Sequence, residues 1–212
     1  MISIIIPCKN RLNHLVKTYG LTRRLRGEYE VIIVDYNCPM GTTDYFNRAF
    51  NDSNLKLVKA EVGATEWNLS HARNIGYGSA SGEILLFIDA DTMLKAQFLE
   101  SHKLNEGEFL SGSWLHASGC CMVFKKDFED VRGYNEVVQG WGTEDFCLYK
   151  RLRNKGLSQK YFNEKLYKNI NHPDTIRNEY HGNRNIHETN HQNDLLTIKE
   201  FKSCLPDLVI SK

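Results

Sequence analysis

The chain has 212 residues, of which 41% are hydrophobic and 25% charged, and its net charge is +1. This composition is typical of a soluble globular protein with one substantial core. The near-neutral charge argues against nucleic-acid binding through bulk electrostatics. We find no signal-peptide pattern at the start and no run near the ~18 apolar residues of a membrane-spanning helix. The six cysteines form no Cys-x-x-Cys pair, which favours free thiols in a reducing, cytoplasmic compartment.

Buried strands and helices alternate through the first half of the chain. Apolar runs typical of strands buried on both faces occupy residues 2–7, 30–35, 55–59 and 84–88. Helices are indicated over 12–25, 44–50 and 68–76, the last with Ser70 near its start. This alternation predicts an α/β fold, a single Rossmann-like domain whose central sheet is mostly parallel and flanked by helices.

Polar residues follow three of these strands at the point where each strand ends. Residues 9–11 (Lys-Asn-Arg) follow the first strand, Asp35 ends the second, and Asp89 and Asp91 follow the fourth. The carboxyl ends of parallel strands meet at one edge of a sheet, where ligands bind. Paired carboxylates there repel each other, but they suit a hard divalent cation that holds phosphates. A solvated pair of loop carboxylates is the alternative interpretation.

The pattern changes after about residue 105. Strands are expected over 109–116 and 119–124, followed by a turn at 131–136. A helix follows from residue 143, with Gly156 as its C-cap. Residues 169–193 are polar and carry four histidines, which indicates a mobile loop that covers a site. A short helix is expected over 194–201.

A second group of chemically capable residues precedes the 143 helix. Trp141 stands between two glycines, directly before Glu144 and Asp145. A plain helix start explains the acids, with Thr143 as N-cap and the carboxylates favoured by the helix dipole. It leaves the tryptophan unexplained, whereas an aromatic face beside carboxylates suits a sugar ring and a general base. The residues alone favour neither interpretation over the other.

Taken together, these segments resemble a nucleotide-sugar-dependent glycosyltransferase of the A-type fold, in the large family 2 group. Residues 3–11 resemble that family's first strand and loop, and 31–35 its second strand. Residues 71–76 resemble the segment lining the donor pocket, and 89–91 stand where the family has its metal-binding Asp-x-Asp. The resemblance covers about residues 2–190.

The second half is similar to the galactosyltransferase and chondroitin-polymerase branch. Residues 133–136 match its Gly-Tyr-Asn-Glu-like turn, and 141–145 match its Trp-Gly-x-Glu-Asp motif. Residues 166–172 resemble the strand that ends in a metal-ligating histidine, here His172, with His181 or His187 as alternatives.

This resemblance implies a metal-dependent, inverting transfer of a sugar from a UDP-sugar to an acceptor hydroxyl, with Asp145 as catalytic base. The residues implied to bind the donor or nucleotide are Pro7, Lys9, Arg11, Asp35, Arg73 and Asp89. Those implied to bind the sugar or acceptor are Tyr134, Trp141, Gly142 and Glu144. Mn²⁺ or Mg²⁺ is implied as cofactor, held by Asp91 and His172 with support from Asp89.

The sequence departs from the family where Tyr36 and Asn37 replace a second acidic residue after Asp35, the residue implied to contact the nucleoside. Two other functions stay open. A sugar-phosphate nucleotidyltransferase would want glycine in the loop after the first strand, and residues 8–11 have none. A carbohydrate-binding module built on Trp141 would need no nucleotide.

The expected organisation is one domain with three parts. Residues 1–105 form the nucleotide-sugar-binding half, 106–193 the acceptor and catalytic half, and 194–212 a C-terminal helix and tail. The partners are a nucleotide-sugar donor and a hydroxyl-bearing acceptor (a glycan, a lipid-linked saccharide or a protein), with no nucleic acid. The residues identify neither the donated sugar nor the acceptor.

Overall fold

A computed structural model describes residues 1–63, 67–113, 116–138, 142–171, 200–203 and 205. In chain order the elements are β1 (Ile2–Cys8), α1 (Leu12–Thr22), β2 (Tyr29–Asp35), α2 (Thr42–Ala49), β3 (Leu55–Lys59), α3 (Leu69–Gly78), β4 (Ile84–Phe87), β5 (Thr92–Leu94), α4 (Phe98–Ser101), β6 (Glu108–Ser113), β7 (His116–Phe124), α5 (Lys125–Asp130), α6 (Glu144–Asn154), β8 (Ser158–Tyr161), a 3-10 turn (Glu164–Leu166) and β9 (Tyr167–Asn169).

Within this part of the chain, a seven-stranded sheet has the order β3-β2-β1-β4-β7-β6-β8. Strands β1 to β4 run parallel, β7 is antiparallel to both β4 and β6, and β8 pairs in parallel with β6. Helices pack on both faces of the sheet. The predicted α/β fold with a mostly parallel central sheet is therefore confirmed.

Burial on both faces explains why the first strands lack hydrophobic alternation. In β1, Ile4 and Ile6 pack with Leu15 of α1 in one apolar cluster, while Ile5 packs with Ala72 of α3 in the other. Both faces of a central parallel strand are covered by crossover helices, so every position favours an apolar side chain.

A second, two-stranded sheet lies directly after the acidic end of the fourth strand. β5 pairs antiparallel with β9, with Thr92 opposite Asn169. The pairing continues past β9, because Ile170 N donates to Asp91 O at 2.8 Å. The strand predicted at the start of 166–172 is thus observed as β9, and it runs alongside the residues that follow Asp91.

Several predicted boundaries shift for local reasons. Helix α3 begins after Asn68, whose Oδ1 caps it by accepting a hydrogen bond from His71 N at 2.9 Å, and Ser70 lies near its start as predicted. Helix α1 ends at Thr22, three residues early, and β6 ends at Ser113. Glu200 and Phe201 are not helical, so the expected 194–201 helix is wrong at its end. The other residues of that helix, and residues 172–193 of the predicted loop, lie outside the described part.

None of the helices in the described ranges combines the length and the apolar character needed to cross a bilayer.

The turn at 133–136 is held against α3 by one side chain. Asn74 Oδ1 accepts from Tyr134 N at 2.9 Å, and Asn74 Nδ2 donates to Tyr134 O at 2.9 Å and to Glu136 Oε1 at 2.7 Å. Gly133 has φ +65°, and a Cβ there would lie 2.8 Å from Asn74 Oδ1. Both the backbone conformation and the close approach therefore require glycine.

Asn135, in the same turn, forms hydrogen bonds with the segment 200–203. Its Nδ2 donates to Glu200 O at 3.0 Å, and its Oδ1 accepts from Lys202 N at 3.0 Å. Glu136 N donates to Lys202 O at 2.6 Å. Segment 200–203 is thus bonded to the same turn that Asn74 holds on its other side.

A comparison of Gly133→Ala with Gly107→Ala separates two effects on stability: the steric clash of a Cβ with Asn74, and the cost of placing alanine in a left-handed backbone conformation. Gly107 also has a positive φ, +77°, but nothing lies within 4 Å of its Cβ position. We expect Gly107→Ala to cost about 1–2 kcal/mol for a left-handed alanine. Gly133→Ala should add a further ~1–3 kcal/mol for overpacking against Asn74. Urea unfolding measures the loss of unfolding free energy in each variant. Equal losses would contradict the close packing of Gly133 against Asn74.

Candidate active site

The candidate site lies at the sheet edge where β1, β2 and β4 end. β1 and β4 are neighbours with Ile5 opposite Phe87, so the residues after Cys8 and the residues after Phe87 emerge at the same edge. The strand order reverses direction between β1 and β4, since β2 and β3 lie on one side of β1 while β4 leads to β7 on the other. Such a reversal opens a crevice for ligands.

The backbone of residues 89–91 is fixed from three sides. Asp89 O accepts from Thr92 N at 3.0 Å, and Asp91 O accepts from Ile170 N at 2.8 Å. Ala90 O accepts from the Thr18 hydroxyl of α1 at 2.8 Å. The carboxylates of Asp89 and Asp91 therefore project from a rigid turn, which keeps a ligand-binding group preorganised.

Arg73 of α3 connects this turn to the start of α6. Its side chain is fully buried, and Nη2 donates to Asp89 Oδ1 at 3.0 Å and to Gly119 O at 3.0 Å. Nη1 lies 3.6 Å from Glu144 Oε1. The guanidinium carbon lies 4.9 Å from the Tyr134 ring centre. The two acidic groups that the sequence separates by some fifty residues thus share one cation.

Gly119 of β7 makes room for the guanidinium. A Cβ there would lie 3.0 Å from Arg73 Nη2 and 3.4 Å from Asp89 Oδ2. Glycine inside a strand often marks such a close approach. A glycine within the predicted strand 119–124 is therefore the sequence signal by which this contact could have been found. The hydrogen bond of Thr18 to Ala90 has no comparable signal in the sequence.

The backbone entering α6 is unusual. Gly142 has φ +100° and Thr143 has φ +67°. A β-branched residue in the left-handed region is a true outlier and costs about 1–3 kcal/mol. Thr143 occupies the N-cap position and Glu144 and Asp145 lie in the first turn, as the helix-start interpretation predicts, but the Thr143 side chain makes no capping bond to any described residue. Strain of this kind is typical of functional sites.

Glu144 and Asp145 turn inward from this entry. Their residues are only 5% and 6% exposed. Glu144 Oε2 is buried and has no hydrogen-bond partner among the described residues. An unpaired buried carboxylate oxygen is costly, and a ligand hydroxyl that donated to it would remove the cost.

Burial raises the pKa of Asp145 above its usual range, and the nearby Arg73 cation partly opposes this. Burial also raises the pKa of Glu144, and the neighbouring Asp145 charge raises it further. Both shifts make these carboxylates stronger bases than ordinary surface carboxylates.

Asp35, predicted to contact the nucleoside, binds its own loop. Oδ1 accepts from Cys38 N at 2.7 Å, and Oδ2 accepts from Thr43 N at 2.9 Å and from the Thr43 hydroxyl at 2.8 Å. The residue is 3% exposed. Asp35 thus holds the turn that leads into α2, and a nucleoside contact stays a prediction.

The other predicted nucleotide-binding residues lie around the end of β1. Lys9 is buried, with Nζ donating to Tyr36 O at 3.2 Å. Pro7 is buried in β1 opposite Val34. Arg11 is half-buried at the start of α1, where its carbonyl accepts from Leu15 N at 2.9 Å.

The four residues predicted to bind the sugar or acceptor differ in where the structure places them. Glu144 belongs to the buried cluster, and Gly142 is half-buried beside it. Tyr134 has no exposed surface and packs between Phe87, with ring centres 5.2 Å apart, and the Arg73 guanidinium, 4.9 Å from its ring centre, so its sugar-binding role stays a prediction. Trp141 lies outside the described residues.

The described residues fit the implied cation in part. Asp89 and Asp91 offer the carboxylate oxygens that Mn²⁺ and Mg²⁺ prefer, and the Asp89 side chain is 35% exposed. Among the described residues, no group of three His, Cys, Asp or Glu side chains is arranged to hold a metal. His172, the expected third ligand, lies outside that part, as do His181 and His187.

Replacing Arg73 tests whether its positive charge stabilises the carboxylates of Asp89 and Glu144. Arg73→Met should lower the free energy of unfolding by about 3–5 kcal/mol, because buried carboxylates lose their cation. Arg23→Met is the matched control, since Arg23 pairs with Asp52 while 42% exposed. That pair should contribute less than ~1 kcal/mol. Similar losses in urea unfolding for the two variants would contradict the role of Arg73.

Two family models match adjoining parts of the chain. The model of glycosyl transferase family 2 matches residues 3–103. The model described as the N-terminal domain of galactosyltransferase matches residues 101–175. Among curated proteins, glycosyltransferase AglE of Haloferax volcanii is 29% identical over 105 residues, which are 47% of this chain and 33% of that protein. The chain thus matches about a third of that relative's length.

Solved structures share the fold at low identity. Mannosyltransferase PcManGT from Pyrobaculum calidifontis, solved with GDP-Man and Mn²⁺, has a TM-score of 0.67 at 17% identity over 77% of this chain and 55% of that chain. The catalytic domain of Drosophila β1,4-galactosyltransferase 7, solved with xylobiose, has a TM-score of 0.67 at 16% identity over 96% of this chain and 82% of that chain. The fold is the A-type fold of these enzymes.

Proposed function

We propose that this chain, a glycosyltransferase by its two family matches, moves a sugar from a UDP-sugar to an acceptor hydroxyl with inversion at the anomeric carbon. The observation that carries the proposal is the Arg73 cation between Asp89 and Glu144. Through it the acidic strand end and the start of α6 belong to one site, with donor-side residues on one flank and a candidate base on the other.

The donor diphosphate belongs at the 89–91 turn. Asp91 and Asp89, with His172, would hold Mn²⁺ or Mg²⁺. Such a cation, when bound, neutralises negative charge on the leaving nucleoside diphosphate. In support, a variant of the Drosophila enzyme was solved with manganese, UDP-Gal and xylobiose, at 15% identity and a TM-score of 0.64. The nucleoside would lie toward Lys9, Arg11 and the 36–41 loop.

Asp145 would accept the proton from the acceptor hydroxyl as that oxygen attacks the anomeric carbon. A buried carboxylate with a raised pKa is better matched to this task than an ordinary aspartate, whose pKa is ~4. Because the base must be ionised, the acid limb of the pH–activity profile should lie above the usual aspartate range. Attack from the face opposite the leaving group accounts for inversion.

Glu144 would accept hydrogen bonds from sugar hydroxyls through its unpaired Oε2. Trp141 would stack on the apolar face of the ring, with Gly142 giving the backbone room to place it. The acceptor carries a hydroxyl, as a glycan, lipid-linked saccharide or protein would. A role in glycan or polysaccharide synthesis in the cytoplasm agrees with the free thiols of Cys8, Cys38, Cys120, Cys121 and Cys147, the cysteines that the structure describes.

A panel of nucleotide sugars with Mn²⁺ tests the proposal without knowledge of the acceptor. UDP-sugars at a hundred times Kd should raise the melting temperature by about 5–10 °C. The cognate donor should also be hydrolysed slowly, releasing UDP. Release of pyrophosphate from a nucleoside triphosphate and a sugar phosphate would make the protein a nucleotidyltransferase. No shift with any nucleotide would favour a carbohydrate-binding module.

Asp145→Asn is the matched variant for this panel. It keeps the side-chain shape and removes the basic oxygen, so we expect the UDP-sugar melting shift to persist. Sugar transfer to an acceptor found with the wild type should fall by about 10²–10⁴-fold. Loss of both the shift and the transfer would mean that Asp145 is structural.

A further inference from the structure

Two thiols meet where β1 ends and the loop after β2 begins. Cys8 is the last residue of β1 and lies opposite Asp35. Cys38 lies three residues after Asp35, in the loop that follows β2, and its N–H donates to Asp35 Oδ1 at 2.7 Å. Cys38 Sγ accepts from the N–H of Asn10, two residues after Cys8, at 3.3 Å, and Cys8 Sγ lies 3.4 Å from the Thr42 hydroxyl, four residues after Cys38, so the two thiols are neighbours. Cys8 is fully buried, and Cys38 is 7% exposed.

The surroundings of Cys38 favour its thiolate. Its Sγ accepts a hydrogen bond from the N–H of Asn10 at 3.3 Å. The neighbouring Cys8 thiol is the main cause that lowers the pKa of Cys38, to about 5, against the opposing effect of burial. The pKa of Cys8 is raised, mainly by the neighbouring Cys38 and then by burial.

This arrangement differs from that of the other buried cysteines. A buried free cysteine usually serves as a small apolar side chain. Cys120 and Cys121 follow that rule, since burial raises the pKa of both thiols, that of Cys120 to about 12. The Cys8–Cys38 pair instead combines a thiolate with a neighbouring thiol, which is the arrangement of a peroxide-reactive cysteine and its resolving partner.

We propose that Cys8 and Cys38 form a peroxide-sensitive dithiol that closes to a disulfide and weakens donor binding. The Cys38 thiolate attacks one oxygen of a hydroperoxide, so an S–O bond forms and the O–O bond breaks. From hydrogen peroxide the other oxygen leaves as hydroxide, which takes a proton from solvent and becomes water. Cys8 then gives up its proton and attacks the Cys38 sulfur. The S–S bond forms and the hydroxyl leaves as water, so the two thiols supply both electrons that reduce the peroxide.

Closure acts on the two loops that border the nucleotide end of the site. The two sulfur atoms of a disulfide lie about 2.05 Å apart, closer than the sulfurs of two separate thiols. Formation of the disulfide therefore draws residues 9–11 toward the 36–41 loop. It also removes the thiolate that accepts from Asn10, a residue with φ +53°. Lys9 and Arg11 flank that residue. The effect on donor binding rests on the proposed function, whereas disulfide formation does not.

Peptide mapping after treatment of the full chain with one equivalent of hydrogen peroxide tests the bond itself. Wild type and the control Cys147→Ser should lose about 2 Da per closed pair and give a peptide joining Cys8 to Cys38. Cys8→Ser should give no such peptide, and Cys38→Ser should react at least ~10-fold more slowly. Dithiothreitol should restore the thiols. Unmodified thiols at both positions, or equal rates in wild type and Cys38→Ser, would overturn the proposal.

Binding of the UDP-sugar identified in the panel provides the second measurement. The oxidised wild type should bind it at least ~5-fold more weakly than the reduced protein, with recovery on reduction. Equal affinity in the two states would overturn the effect on the site. If the disulfide forms but reduced protein binds no nucleotide, the proposed function fails while the dithiol assignment is supported.

Discussion

The structure depends on one buried cation. An isolated guanidinium inside a protein is very costly, so Arg73 requires acceptors on several sides at once. They come from three separate elements: Asp89 after β4, the Gly119 carbonyl in β7, and Glu144 at the start of α6. A shift of any one element would leave a charge uncompensated. The position of Arg73 therefore fixes the distance between the acidic strand end and the candidate base.

The two halves of the chain join at helix α3. The family matches change from one model to the other at residues 101–103, yet α3 from the first half binds three features of the second. Arg73 reaches β7 and α6, while its neighbour Asn74 clamps the turn at 133–136. A donor-binding half and an acceptor-side half can thus meet in one site because two adjacent residues of a single helix hold the second half in place.

The sequence was sufficient for the strands of the first half and for the sheet edge where Asp89 emerges, because buried parallel strands read as unbroken apolar runs. It was insufficient where a side chain's environment depends on distant partners. The resemblance implied that Tyr134 binds the sugar or acceptor, but Phe87 and Arg73 pack against its ring. Asp35 looked available to a ligand, but the backbone of its own loop binds it. The left-handed backbone of Thr143 has no signature in its residue type.

The most direct test is a crystal structure with Mn²⁺ and the UDP-sugar identified by the panel, with data collected at the manganese absorption edge. We expect an anomalous peak on the carboxylates of Asp89 and Asp91, and the donor sugar between that peak and Asp145. A nucleotide and metal bound elsewhere, or a donor sugar on the far side of Arg73 from Asp145, would contradict that expectation.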